Sequence, residues 1–232
     1  NCTTGETIGD VVMADSIEVM GVVLDCLTAK EAMLQAMQFM ENDLVDTIEI
    51  LSMNDLMNGR EDMEWKNLVN ECGLVIPGEA EILKAADAGG RNLEKETADH
   101  TFLKLFLKYL QKNQKKIFLL ADTEEDLLRT ADAVRRYSRG IKLTGSGVIK
   151  PDDNKEESLI NEINGTETDC ILSVLETPYQ EQFIGRNRAL LNAKVWLGCG
   201  AVLREDSGTR RPAGRLKHFF RKFLFSWRAG KE

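Results

Sequence analysis

Short apolar runs of strand length alternate along the chain with longer stretches in which apolar residues recur at helical spacing. Residues 17–24 (IEVMGVVL) read as a strand. Thr28 then caps a helix, AKEAMLQAMQFM, and Glu31 three residues on completes a capping box. A strand at 47–51 ends in Ser-Met-Asn-Asp and precedes a polar helix around 61–70. Residues 74–76 form the next strand, stopped by Pro77-Gly78. A strongly apolar helix follows at Thr101–Lys112, then a buried strand at 116–120 (KIFLL). Ala121-Asp122-Thr123 opens a helix running through Arg136, whose acidic first turn suits the helix dipole. Residues 141–147 return as strand and loop, and 155–164 as a helix. Residues 170–200 (CILSVLETPYQEQFIGRNRALLNAKVWLGCG) close the series as strand, turn, helix and strand.

Repeated strand–helix–strand order predicts crossover connections and a mainly parallel sheet with helices on both faces. The expected architecture is α/β: one Rossmann-like domain over residues 1–203, followed by a helical appendage over 204–232. Ligands in such folds bind beyond the carboxyl ends of the strands.

Composition narrows the chemistry. A chain of 232 residues with 43% hydrophobic content can bury a core without cross-links. Its five cysteines (Cys2, Cys26, Cys72, Cys170, Cys199) are dispersed, with no CxxC pair, so they read as reduced thiols rather than a disulfide or zinc framework. His100 and His218 give histidine chemistry little material, and no Asp-x-Asp cluster is present. No metal and no cofactor are expected. No apolar run nears the roughly 18–20 residues of a membrane span, and the first residues carry no basic-then-apolar leader, which predicts a cytoplasmic protein.

Net charge is −8 but unevenly spread. Between Thr209 and Lys231 stand Arg210, Arg211, Arg215, Lys217, Arg221, Lys222, Arg228 and Lys231, with no acidic residue among them. The acidic body would repel phosphates, which argues against a nucleic-acid partner. Within the basic end, Leu216, Phe219, Phe220, Phe223, Leu224 and Trp227 fall on one helical stripe flanked by cations. Such a helix suits a membrane interface over residues 209–231. The alternative is that the stripe packs on the body or on a second subunit of a homo-oligomer.

The start of the last helix carries the densest signal. Thr177 at N-cap, Pro178 at the first helical position and Gln180 at the third make a capping box, with Phe183, Ile184, Leu190 and Leu191 burying one face. Two readings follow from the residue types: a well-capped helix, or a helix start whose free N–H groups receive a phosphate, helped by Gln180 and Asn187. Gly198 and Gly200, around Cys199, allow close backbone approach to a ligand or make a plain turn.

The stretch TPYQEQFIGRNRALLNAKVWLGCG resembles the signature of the WecG/TagA/CpsF family of bacterial glycosyltransferases, with its Pro-x-Gln-Glu, a following Asn and a closing Gly-x-Gly strand. VMGVVLDCLTAKEAM is similar to the family's first strand and helix, LSMNDLMNG to its Thr-x-Asn-Pro loop, and CGLVIPGEAEIL to its Asp-Gly loop. KKIFLLADTEEDLLRTADAVRR is similar to its central strand and helix, and GTRRPAGRLKHFF to its basic appendage. The resemblance runs from about residue 16 to 227. It implies an inverting transfer of N-acetylmannosamine, or a related sugar, from a UDP-sugar donor to a polyprenyl-diphosphate-linked acceptor in cell-envelope polymer synthesis. A general base is needed for the acceptor hydroxyl. It also implies a location on the inner face of the bacterial membrane.

Carried over residue by residue, the resemblance puts Ser52 in place of the loop Thr and matches Asn54 to its Asn. Thr177, Gln180, Glu181, Asn187, Gly198 and Gly200 become substrate-binding, and Arg210 and Arg211 reach the donor diphosphate. The family's catalytic Asp falls on Gly78; either Glu79 or Glu81 could supply a carboxylate in its stead, with Glu79 the expected one and Ser52 the other catalytic candidate. Ala121-Asp122 stands for the family's Gly-Gly, and Leu203-Arg204 for its Phe-Asp. The competing expectation is a member that binds nucleotide sugar, or serves as a scaffold, without catalysing.

Overall fold

A computed structural model of the protein describes residues 15–200, 202 and 203. Six strands form one fully parallel sheet: β3 (Asp46–Leu51), β4 (Leu74–Pro77), β5 (Lys116–Ala121), β6 (Lys142–Val148), β7 (Cys170–Ser173) and β8 (Val195–Gly198). Their order across the sheet is β4-β3-β8-β7-β5-β6. This is the α/β, Rossmann-like architecture that the alternating pattern predicts, with every parallel connection made by a helical crossover.

Burial on both faces explains the near-continuous apolar runs. On one face Ile48, Ile50, Ile117, Leu119, Leu172 and Leu197 pack against α1 (Ala29–Phe39), α6 (Thr101–Lys112) and α7 (Glu124–Tyr137). On the other, Phe118, Leu120, Ile171 and Trp196 meet α8 (Glu156–Gly165) and α9 (Tyr179–Asn187). A third cluster joins Leu51 and Val75 to the N-terminal segment, α2 (Met53–Gly59) and α3 (Met63–Asn70), centred on the fully buried Trp65.

Several boundaries follow the sequence closely. Thr28 and Glu31 form the expected reciprocal capping box. Thr123 caps α7 through Asp126, with acidic residues in the first turn and Arg135 and Arg136 in the last.

Others need correction. Residues 17–24 are not one strand but an antiparallel hairpin, β1 (Ser16–Val19) and β2 (Val22–Asp25). Met20 and Gly21 both take positive φ in a two-residue turn, whose twist matches that of the paired strands. The Ser-Met-Asn-Asp stretch continues as α2, because Ser52 and Asp55 form a capping box. α4 (Ala80–Ala86) and α5 (Gly90–Ala98) follow β4 where the sequence signals only a stop. At α9, Pro178 rather than Thr177 takes the cap position, and no side-chain cap is made. Leu190 stands 59% exposed, since α9 gives way to a 3-10 turn at Arg188–Leu190 before the stripe returns to the core at Leu191. The basic appendage, 204–232, lies outside the described residues.

Candidate active site at the carboxyl edge of the sheet

Strand order carries the site. Because β4, β3, β8 and β7 are neighbours, the segments that follow them stand side by side along one edge. These are residues 78–81, 52–54, 199–200 and 174–181, far apart in sequence. All the expected site residues from Ser52 to Gly200 except Asn187 therefore lie on or next to this edge.

Ser52 is buried and works as the cap of α2. Its N–H and Oγ–H both donate to Asp55 Oδ2, at 2.9 and 2.7 Å, and Asp55 N–H donates back to Oγ at 3.2 Å. Asn54, half-buried, is the second residue of the same helix. From the neighbouring loop, Glu79 reaches across, and its Oε1 accepts the Met53 N–H at 2.8 Å. The expected carboxylate thus meets the start of α2. Glu81 sits half-buried in the first turn of α4.

Gly78 is closed to a side chain. A Cβ there would lie 2.8 Å from Val202 Cγ2 and 3.0 Å from the Leu51 carbonyl oxygen. Beside it opens a mainly apolar cleft lined by Ile50, Ile76, Phe102 and Val202, with Glu96 and His100 as its titratable groups. Glu96 Oε2 accepts the Ala29 N–H at 2.7 Å.

The second wall, at α9, turns inward. Thr177 Oγ1 donates to Glu181 Oε1 at 3.0 Å. Gln180, 3% exposed, accepts from Ser173 Oγ at 2.9 Å and donates through Nε2 to Glu49 Oε2 at 2.9 Å. Two N–H groups of its first turn are already used, Gln180 N–H on the Glu176 carbonyl and Gln182 N–H on that of Pro178. Asn187 faces the neighbouring helix instead of the edge: its Nδ2 donates to Glu156 Oε2 and to the Phe183 carbonyl, both at 3.0 Å. Arg210 and Arg211 lie outside the described residues.

Sequence reasoning missed Glu49. It occupies the middle of β3, fully buried, and also accepts from Trp196 Nε1 at 3.3 Å. Its carboxyl fills the space a side chain would take at the adjacent Gly198, 1.9 Å from an ideal Cβ there. Burial, and then the nearby Glu181, raise its pKa well above the usual carboxylate range. Glu181 is buried too, and one of its oxygens, Oε2, has no hydrogen-bond partner among the described residues. Burial, and then Asp55, push its carboxyl up to about 7. The available signal was a charged residue flanked by isoleucines in a strand that parallel topology buries on both faces.

The profile of the Glycosyl transferase WecG/TagA/CpsF family matches residues 17–227. The chain belongs to this family. Among its relatives are the N-acetylglucosaminyldiphosphoundecaprenol N-acetyl-beta-D-mannosaminyltransferases of Staphylococcus aureus strains MRSA252 and NCTC 8325. Each is 22% identical over 214 residues, covering 91% of this chain and 82% of the relative. Membership gives the site a reaction class, glycosyl transfer, and makes the carboxylate at Glu79 the group to explain.

Proposed function

We propose that this family member transfers N-acetylmannosamine from a UDP donor to a polyprenyl-diphosphate-linked N-acetylglucosamine, with inversion at the anomeric carbon. The relatives' names supply the transferred sugar and the acceptor class. The observation that carries the reading is Glu79 reaching the start of α2 at Met53. With Gly78 sealed by Val202 and Leu51, an acid at 79 is the nearest in sequence that can stand at the same edge.

In this reading the donor lies across residues 52–54, 77–81 and 177–181. Glu79 takes the proton of the acceptor hydroxyl as the new bond forms, while Arg210 and Arg211 offset charge on departing UDP. Residues 209–231 hold the enzyme to the cytoplasmic face of the membrane, where a lipid-linked acceptor resides. No helix among the described residues is long and apolar enough to cross a bilayer.

A second reading, binding without turnover, is favoured by Gly78, which stands where the family's catalytic Asp falls and is closed to a side chain. Product analysis separates the two. Incubation with UDP-N-acetylmannosamine and a polyprenyl-diphosphate-N-acetylglucosamine is expected to release UDP and lengthen the lipid by one sugar. UDP binding by calorimetry without any product supports the scaffold reading instead.

A further inference from the structure

We propose that Glu49 is a positioning residue: a carboxyl group inside the sheet that sets the Gln180 side chain and, through it, the first turn of α9 against the donor. This rests on the glycosyltransferase reading above.

A line of hydrogen bonds runs beneath that turn. Trp196 from β8 and Gln180 from α9 both donate to Glu49 on β3, and Ser173 on β7 donates to the other end of the Gln180 amide. Ser173 Oγ in turn accepts the Leu175 N–H at 3.3 Å, where the chain leaves β7 for α9. Three adjacent strands and one helix are thus joined through side chains that are 0–3% exposed. Gly198 is bare at the point where the Glu49 carboxyl crosses it, so the backbone of β8 is shaped around this group.

Removing the carboxyl would leave the Gln180 and Trp196 donors buried without an acceptor. A buried amide in that state re-seeks a partner, and the first turn of α9 moves with it. Charged groups facing Glu49 are Glu181 from α9 and Asp55 from α2; Cys72, after α3, faces both glutamates. Both Glu49 oxygens accept a hydrogen bond, so glutamine, which matches its shape, keeps one of the two acceptors.

The test compares steady-state kinetics of full-length parent, Glu49→Ala, Glu49→Gln, Gln180→Ala and the Glu49→Ala/Gln180→Ala double variant. Glu49→Ala is expected to raise KM for the UDP-sugar about tenfold with kcat within about twofold. Glu49→Gln, which keeps an acceptor for Gln180, should recover part of that loss, and the double variant should lose no more than either single one. An unchanged KM in Glu49→Ala, no recovery in Glu49→Gln, or multiplying effects in the double variant overturns the proposal. Should Glu49→Ala fail to fold, Gln180→Ala must raise KM and Glu49→Gln must raise it less, or the proposal fails. A parent that neither binds UDP nor forms product refutes the glycosyltransferase reading instead. Additivity of the thermal shifts of Glu49→Gln and Gln180→Ala would then overturn the Glu49–Gln180 coupling, and non-additivity would support it.

Discussion

Single residues at this edge are constrained by their neighbours more than by their own propensities. Gly198→Ala would drive a methyl into the Glu49 carboxyl. The strand cannot yield because β3 and β7 hold it on both sides. Overpacking combined with disrupted buried hydrogen bonds should cost about 2–4 kcal/mol in urea unfolding; a cost below about 0.5 kcal/mol would deny the close approach. Glu181 carries a pH signature. Its folded pKa of about 7 lies above that of a free carboxyl, so the folded state retains a proton that the unfolded chain releases above roughly pH 4.5. Stability from this group therefore falls as pH rises from about 4.5 to 7, and is flat above. Glu181→Gln should remove a decline on the order of 3 kcal/mol across that window. Parallel pH profiles of melting temperature for parent and variant would contradict the assignment.

Elements were legible wherever pattern, cap and burial agreed. Thr101–Lys112 stands where its apolar spacing puts it without a side-chain cap, and the β5–α7 unit where spacing and the Thr123 cap agree. The hairpin was hidden inside one apolar run, since a Met-Gly turn lacks the usual Asn or Asp signal. The burial of Glu49 was hidden for a different reason: strand order is not written in local pattern, and it is β4 and β8 on either side of β3 that enclose the carboxyl. Glu79 was singled out from its place beside Gly78, whereas its bond to Met53 depends on how the adjacent strands β3 and β4 bring the two following segments together. Between α8 and α9 a further tie is visible only in three dimensions. Burial tends to raise the Glu156 pKa, yet hydrogen bonds from Asn187, Arg186 and Tyr179 outweigh it and hold the carboxyl below its ordinary range. Its contribution is thus present above the usual carboxylate range and lost on acidification. Glu156→Ala should cost about 1–2 kcal/mol at neutral pH by thermal unfolding, with the difference shrinking below about pH 4; a pH-independent difference would assign the loss to packing alone.

At the scale of the molecule, an acidic body is joined to a basic, aromatic C-terminal stretch, a division suited to work on a lipid-linked acceptor. Each cation near an anionic surface contributes about 1 kcal/mol, so Arg221→Glu, Lys222→Glu and Arg228→Glu together should weaken binding to phosphatidylglycerol vesicles by at least about 100-fold. Equal co-sedimentation of parent and triple variant would remove the membrane role. The central claim is that Glu79 supplies the carboxylate that Gly78 cannot, and it is tested most directly by the rate of UDP release with acceptor present. Glu79→Ala should lower kcat by about 100-fold or more while Glu81→Ala stays within about threefold of the parent. Full turnover in Glu79→Ala, or loss confined to Glu81→Ala, would contradict the account.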